Sequence, residues 1–168
     1  LADKNKGTFN GTFLTFSESP ELLTLNGNIL QKVDQMVKSK WGMSTNLHKA
    51  FDKILSVAVK NNVPQSDMPK MLLILSDMQF NQCVRHDDSA MEMIERKYAE
   101  AGYTVPNIVF WNLNARQGNV PVKYDKKGVA LVSGFSPSIM TSILAAEDLD
   151  PVSVMLNTLN SPRYAVVQ

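Results

Sequence analysis

The run Met71-Leu72-Leu73-Ile74-Leu75 limits the possible folds more than any other stretch of the chain. It is apolar without alternation and too short for a helix, with Pro69 just before it and Ser76-Asp77 just after. A strand with apolar side chains on both faces is a strand covered on both faces, which is the condition of a parallel sheet. The pattern therefore predicts a buried strand over 71–75, with neighbours reached by right-handed crossovers. Residues 105–111 and 129–132 read as two further strands of this kind, with Pro106 at the start of the first of them.

The segments around these strands carry a helical period. Residues 88–101 place Ala90, Met91, Ile94, Tyr98 and Ala101 inward, and Gly102 is set to cap the C-terminus. A helix is expected over 136–145, with Pro137 in its first turn. Another starts at Asp150-Pro151, with Val152, Met155, Leu156 and Leu159 on its buried side. Upstream, 12–16 and 22–25 are short strands spaced for a hairpin. Ile29, Leu30, Val33, Met36 and Val37 share one face of a helix over 28–38. After Gly42, one of Ser44, Thr45 or Asn46 caps a helix carrying Leu47, Ala50, Phe51, Ile54, Leu55 and Ala58, which ends near Asn61-Asn62 before Pro64. Strands alternating with helices give an α/β class with a mainly parallel sheet.

The length of 168 residues suits one domain, and a hydrophobic fraction of 44% suffices for its core. A formal charge of +1 gives no general attraction to nucleic acid or to an acidic membrane, and no apolar run has the length of a bilayer span. Cys83 is the one cysteine, so no internal disulfide forms, which fits a reducing, cytoplasmic setting. The chain starts at Leu1 with a polar stretch unlike a signal peptide, and with no initiator methionine it reads as part of something longer.

In an open α/β sheet, ligands bind beyond the carboxyl ends of the strands. Ser17 and Glu18, Ser76 and Asp77, Asn112 and Asn114, and Ser133 fall at such ends. Asp77 is the sharpest of them, a carboxylate directly behind an apolar run that needs a partner, a metal or solvent. Its alternative role is a helix cap or a loop acceptor. Other signals are weaker. His48 lies on a helix, Trp41 and Trp111 read as packing residues, and Cys83 with His86 lacks the second pair of a zinc site. No glycine-rich phosphate loop, Ser-His-Asp arrangement or paired-carboxylate motif is present, and Gln79 replaces the second carboxylate of an Asp-x-Asp phosphatase motif at Asp77-Met78-Gln79.

Four short stretches in order carry a resemblance: 13–20 (Phe-Leu-Thr-Phe-Ser-Glu-Ser-Pro), 41–47 (Trp-Gly-Met-Ser-Thr-Asn-Leu), 75–80 (Leu-Ser-Asp-Met-Gln-Phe) and 132–136 (Val-Ser-Gly-Phe-Ser). Together they resemble a von Willebrand factor A (vWA)-like family of bacteria, plants and large viruses, with the vWA domain of the Ro ribonucleoprotein as a more distant relative. The resemblance implies a Rossmann-like fold, a mostly parallel central sheet with helices on both faces. Its first strand and the start of its first helix would lie upstream of Leu1. That strand is central in the family, so the sheet would lack its middle here. The resemblance also implies a metal-ion-dependent adhesion site, in which Thr45 matches the threonine of the second loop and Asp77 the aspartate of the third. The Asp-x-Ser-x-Ser of the first loop does not occur in this sequence. The implied cation is Mg²⁺ or another divalent ion that prefers oxygen ligands. Ser44, Asn46, Ser76, Asn112, Asn114 and Ser133 would line its rim, and a carboxylate from a protein partner would complete its shell. The expected function is thus a non-enzymatic, metal-bridged protein-binding module. The rival is a hydrolase or phosphotransfer enzyme that uses Asp77.

Overall fold

A computed structural model describes residues 2–15, 17–42, 46–76, 88–113 and 128–134, together with 140, 143, 152, 155, 156, 159, 160 and 162–167. The chain is a mixed α/β protein that divides into two compact units. One comprises Leu1–Lys70 with Gln79–Pro106, and the other Met71–Met78 with Asn107–Gln168.

In the first unit, β1 (Thr12–Leu14) and β2 (Leu22–Thr24) form the expected antiparallel hairpin, with Phe13 opposite Leu23. Beyond the ladder, Thr15 is fully buried and replaces strand pairing with a side chain. The Glu21 amide donates to its Oγ1 at 3.0 Å, while the Thr15 amide donates to the Glu21 carbonyl at 3.0 Å. Helix α1 (Ile29–Val37) starts with a reciprocal capping box between Asn28 and Gln31.

The polar side of α1 makes its contacts with the rest of the unit. Lys32 pairs with Asp3 at 2.6 Å, and Gln35 exchanges two hydrogen bonds with the Asn26 backbone. The hydrogen bond and charge of Lys32 hold the Asp3 carboxyl below its usual range. The apolar face points to solvent instead: Ile29 is 73% exposed, Leu30 76% and Val37 71%. Periodicity identified which residues share that face, but not whether anything lies against it.

Helix α2 (Leu47–Lys60) is capped by Asn46, whose side chain accepts from the Lys49 amide, and it buries Leu47, Ala50, Phe51, Ile54 and Ala58. Helix α3 (Asp88–Glu100) buries Met91, Ile94 and Tyr98, while Ala101, expected inward, is exposed just past its end. Phe51 and Tyr98 meet edge to face with centroids 6.2 Å apart, and the Tyr98 hydroxyl donates to the Phe51 carbonyl at 3.1 Å. Burial pushes the Tyr98 phenol upward, and the Asp52 carboxylate adds to the shift, so the group stays a protonated donor.

Both helices end in Schellman motifs. After α2, Asn62 takes a positive φ of 49°, and the Val63 and Asn62 amides donate to Ala58 and Val59. After α3, Gly102 takes φ 79°, and the Tyr103 and Gly102 amides donate to Tyr98 and Ala99. The Tyr103 hydroxyl then donates toward the Val63 carbonyl at 2.8 Å and the Ala58 carbonyl at 3.3 Å.

In the second unit, β3 (Met71–Ser76), β4 (Asn107–Asn112) and β5 (Val129–Ser133) form a parallel sheet in the order β3-β4-β5. The three predicted strands and their parallel sense agree with the sequence. Their burial agrees only for β4, where Ile108, Val109, Phe110 and Trp111 are all buried. Leu75 is 55% exposed and Leu131 39%. The expectation of full burial for the runs at 71–75 and 129–132 is corrected accordingly, because both strands flank β4 at the margins of the described sheet. Val109 and Trp111 pack with Ile143, and Met71, Leu73, Ala130, Val132 and Met140 surround them on the same face. The last predicted helix is also corrected. Val152, Met155, Leu156 and Leu159 are helical where described, yet each is about half exposed rather than buried.

Candidate functional site

The predicted site residues divide between the two units. Thr45, Asp77, Ser44 and Asn114 lie outside the described residues, as do Cys83 and His86. Asn46, Ser76, Asn112 and Ser133 are described.

In the second unit, Ser76, Asn112 and Ser133 occupy one row. The register pairs Ser76 with Asn112 and Asn112 with Ser133, each the last residue of its strand. Neighbours in register project from the same face, so two hydroxyls and a carboxamide stand together at the carboxyl margin. The backbone beyond this row is tied down. The Leu113 amide donates to the Ser76 carbonyl at 2.9 Å, and the Gly134 amide to the Asn112 carbonyl at 3.3 Å. The Trp111 indole donates to the Gly134 carbonyl at 2.7 Å, so Trp111 serves as packing and anchor rather than as an exposed stacking surface. The donors in this row are neutral oxygens suited to a hard cation or its water. Among the described residues, no group of three or more His, Cys, Asp or Glu is gathered to hold a metal.

In the first unit, two of the motif stretches come together. A Cβ on Gly42 would lie 2.8 Å from the Ser17 Cβ, and Ser17 is 6% exposed. The segment that leads into residues 43–45 therefore rests on the turn after β1, and only glycine permits that approach. Trp41 flanks the contact. Its indole donates to the Met36 carbonyl at 2.9 Å, and its ring lies 6.3 Å from that of Phe13. Just past this segment, Asn46 has its side-chain oxygen engaged as the α2 cap, while Lys49 Nζ donates to the Glu18 carbonyl at 3.0 Å. Gly42→Ala should cost about 1–3 kcal/mol in denaturant melts. Adding Ser17→Gly, which removes the opposing Cβ, should recover most of that loss.

Sequence reasoning missed a cluster on α2 and α3. Lys97 Nζ donates to both Asp52 oxygens at 2.9 and 3.0 Å and lies 3.0 Å from His48 Nε2. An ammonium group only donates, so Nε2 is the acceptor, and Nδ1 faces Asp52 Oδ2 at 3.4 Å. The His48–Asp52 spacing of four was visible in the sequence; Lys97, on another helix, was not. The nearby depression, bounded by Ser19, Pro20, Lys49, Asp52, Lys53 and Ser56, is shallow and open. The cluster joins α2 to α3 beside this open depression.

Comparison with known proteins adds two findings. Residues 1–161 match the family described as Domain of unknown function (DUF7788). "Uncharacterized protein L728" of Acanthamoeba polyphaga mimivirus is 36% identical over 162 residues, which cover 95% of this chain and 28% of that protein. The chain thus spans somewhat more than a quarter of the viral relative. Among the described residues, no helix is long and apolar enough to cross a membrane.

Proposed function

From the premise that this chain belongs to the DUF7788 family, we propose that it is a binding module of vWA-like fold that holds a divalent cation and grips a protein partner through a metal-bridged carboxylate. Thr45 and Asp77 are the ligands in this reading, with Ser44, Asn46, Ser76, Asn112, Asn114 and Ser133 around them. The observation that carries it is the row of Ser76, Asn112 and Ser133 at the carboxyl ends of three adjacent parallel strands, where sheets of this class bind ligands. Asp77 follows Ser76 directly in the sequence and Thr45 precedes the α2 cap. The described donors are neutral, so the anionic ligand must come from Asp77 and from the partner. A cation such as Mg²⁺ would supply a positive centre that keeps part of its water and exchanges one position for a carboxylate.

Thermal melting with added Mg²⁺ or Mn²⁺ tests the proposal. The native protein should gain stability as the cation is titrated, by about 2.7 kcal/mol at a hundred times its dissociation constant. Asp77→Asn should abolish the gain while melting normally without metal. An unchanged midpoint in excess of both cations would end the cation reading. Phosphoester turnover lost in Asp77→Asn would replace it with the hydrolase reading.

A further inference from the structure

We propose that Asn26-Gly27 is a site of spontaneous deamidation and isoaspartate formation, and that the product unclamps α1 from the segment after β2. The chain holds two Asn-Gly pairs, Asn10-Gly11 and Asn26-Gly27. Asparagine is a thermolabile residue, and a following glycine leaves the backbone free to turn back on the side chain. In the reaction, the Gly27 amide nitrogen loses its proton to solvent and attacks Asn26 Cγ. The N–Cγ bond forms, and the Cγ–Nδ2 bond breaks as Nδ2 takes a proton and leaves as ammonia. Water then opens the cyclic imide. Opening at Cγ leaves an ordinary aspartate. Opening at the main-chain carbonyl leaves an isoaspartate, whose backbone runs through Cβ and Cγ.

The fold treats the two pairs differently. At the first, the nucleophile is engaged: Gly11 is buried, and its amide donates to the Ala2 carbonyl at 3.0 Å. The Asn10 carboxamide donates to the Asn5 carbonyl at 2.6 Å, and the Gly11 carbonyl accepts from the Leu25 amide at 2.8 Å. Ring closure there must release nucleophile and leaving group together, each bond slowing it about fivefold. At the second pair both residues are exposed, and among the described residues the Gly27 amide has no acceptor. The Asn26 carboxamide donates to the Thr24 carbonyl at a long 3.3 Å. Gln35 Nε2 donates at 2.7 Å to the Asn26 carbonyl, which shares a peptide group with the Gly27 nitrogen. That bond strengthens as charge reaches the oxygen, so it favours loss of the Gly27 proton. The N-terminus of α1, capped by the next residue Asn28, favours the same negative charge. Position 27 also admits nothing bulkier than glycine, because its φ is 89° and a Cβ would collide with Gln31 Oε1 of the capping box. The reactive pair is therefore built into the start of α1. Asn26 clamps that helix through its main chain, with its amide donating to Gln35 Oε1 at 3.1 Å and its carbonyl accepting from Gln35 Nε2. In an isoaspartate the carbonyl oxygen becomes part of a side carboxylate and the backbone lengthens, so the paired bonds lose their spacing.

The test ages the intact chain at mildly alkaline pH, in native buffer and in urea. Cleavage after Glu18 and Glu21 separates the two asparagines, and mass spectrometry of the peptides follows each conversion. Isoaspartate is counted with an isoaspartyl O-methyltransferase and labelled S-adenosylmethionine. In native buffer Asn26 should convert about tenfold or more faster than Asn10, from the difference in bonds that must open. In urea, where neither pair is held, the two rates should come together. Asn26→Gln should remove most of the methyl-accepting signal from the aged native protein. Amide exchange over Ile29–Val37 should be about tenfold faster in the isoaspartyl fraction than in fresh protein. Three results overturn the proposal: Asn26 converting no faster than Asn10 in the native chain, a preference for Asn26 that persists unchanged in urea, or α1 exchange unaltered in the isoaspartyl fraction.

Discussion

Phe51→Ala should lower the unfolding free energy by about 3–5 kcal/mol, the range for emptying a fully buried aromatic site. Phe51 has no exposed surface, sits between Ala50 and Ile54 on the buried side of α2, and meets the Tyr98 ring edge to face. Truncation removes the ring and leaves a void between two helices whose C-termini are both closed by Schellman bonds, which limits collapse. The ring contact and the Tyr98 hydroxyl bond can be separated. Tyr98→Phe keeps the packing and loses only the bond to the Phe51 carbonyl, so it should cost about 1 kcal/mol. Chemical denaturation of both variants, read by circular dichroism, checks the pair. A Phe51→Ala loss no larger than that of Tyr98→Phe would show that α2 and α3 do not pack as described.

Val109→Asp should be more damaging still and should show a characteristic pH dependence. Val109 is completely buried in the central strand and packs with Trp111 and Ile143. An ionised carboxylate there would be desolvated among apolar neighbours, at a cost of several kcal/mol. The introduced acid would therefore titrate above its unfolded value of about 3.9. With the folded pKa raised, the folded state binds more protons. Residual stability is then greatest below the unfolded pKa and falls as pH rises through the folded one. Melts at pH 4 and pH 7 should differ more for Val109→Asp than for Val109→Asn, which carries no titrating group. Equal differences would mean that position 109 is open to water.

Local chemistry was legible in the sequence wherever it depended on near neighbours. A cap among Ser44, Thr45 and Asn46, of which Asn46 takes the role, Gly102 as the left-handed residue after α3 and the Thr12–Leu14 hairpin partner all follow from short-range sterics and hydrogen bonding. The apolar run at 71–75 correctly gave a strand and a parallel sheet. It did not reveal that Leu75 would be half bare, because a strand's place in the order depends on its neighbours and not on its own residues. The same limit applies to the stripes at Ile29, Leu30, Val33 and Val37 and at Val152, Met155, Leu156 and Leu159, where periodicity established a shared face but not its cover. Lys97 joins Asp52 across 45 positions, and no pattern within a helix announces such a partner. For the candidate site, Ser76, Asp77, Asn112 and Ser133 could be singled out from strand ends alone, while Thr45, and the metal-ligand role given to Asp77, come from the family resemblance.

The Tyr103 hydroxyl ties the ends of two helices together. A helix terminus ordinarily frays by itself, one residue at a time, with little effect elsewhere. Here the Ala58 carbonyl that closes α2, and the Val63 carbonyl just beyond its end, accept from the hydroxyl of the residue that directly follows the left-handed turn of α3. Unwinding either last turn strains this shared bond, so stretches far apart along the backbone should open together more often than alone. Thermal motion that would nibble at two separate ends must instead dislodge a single knot.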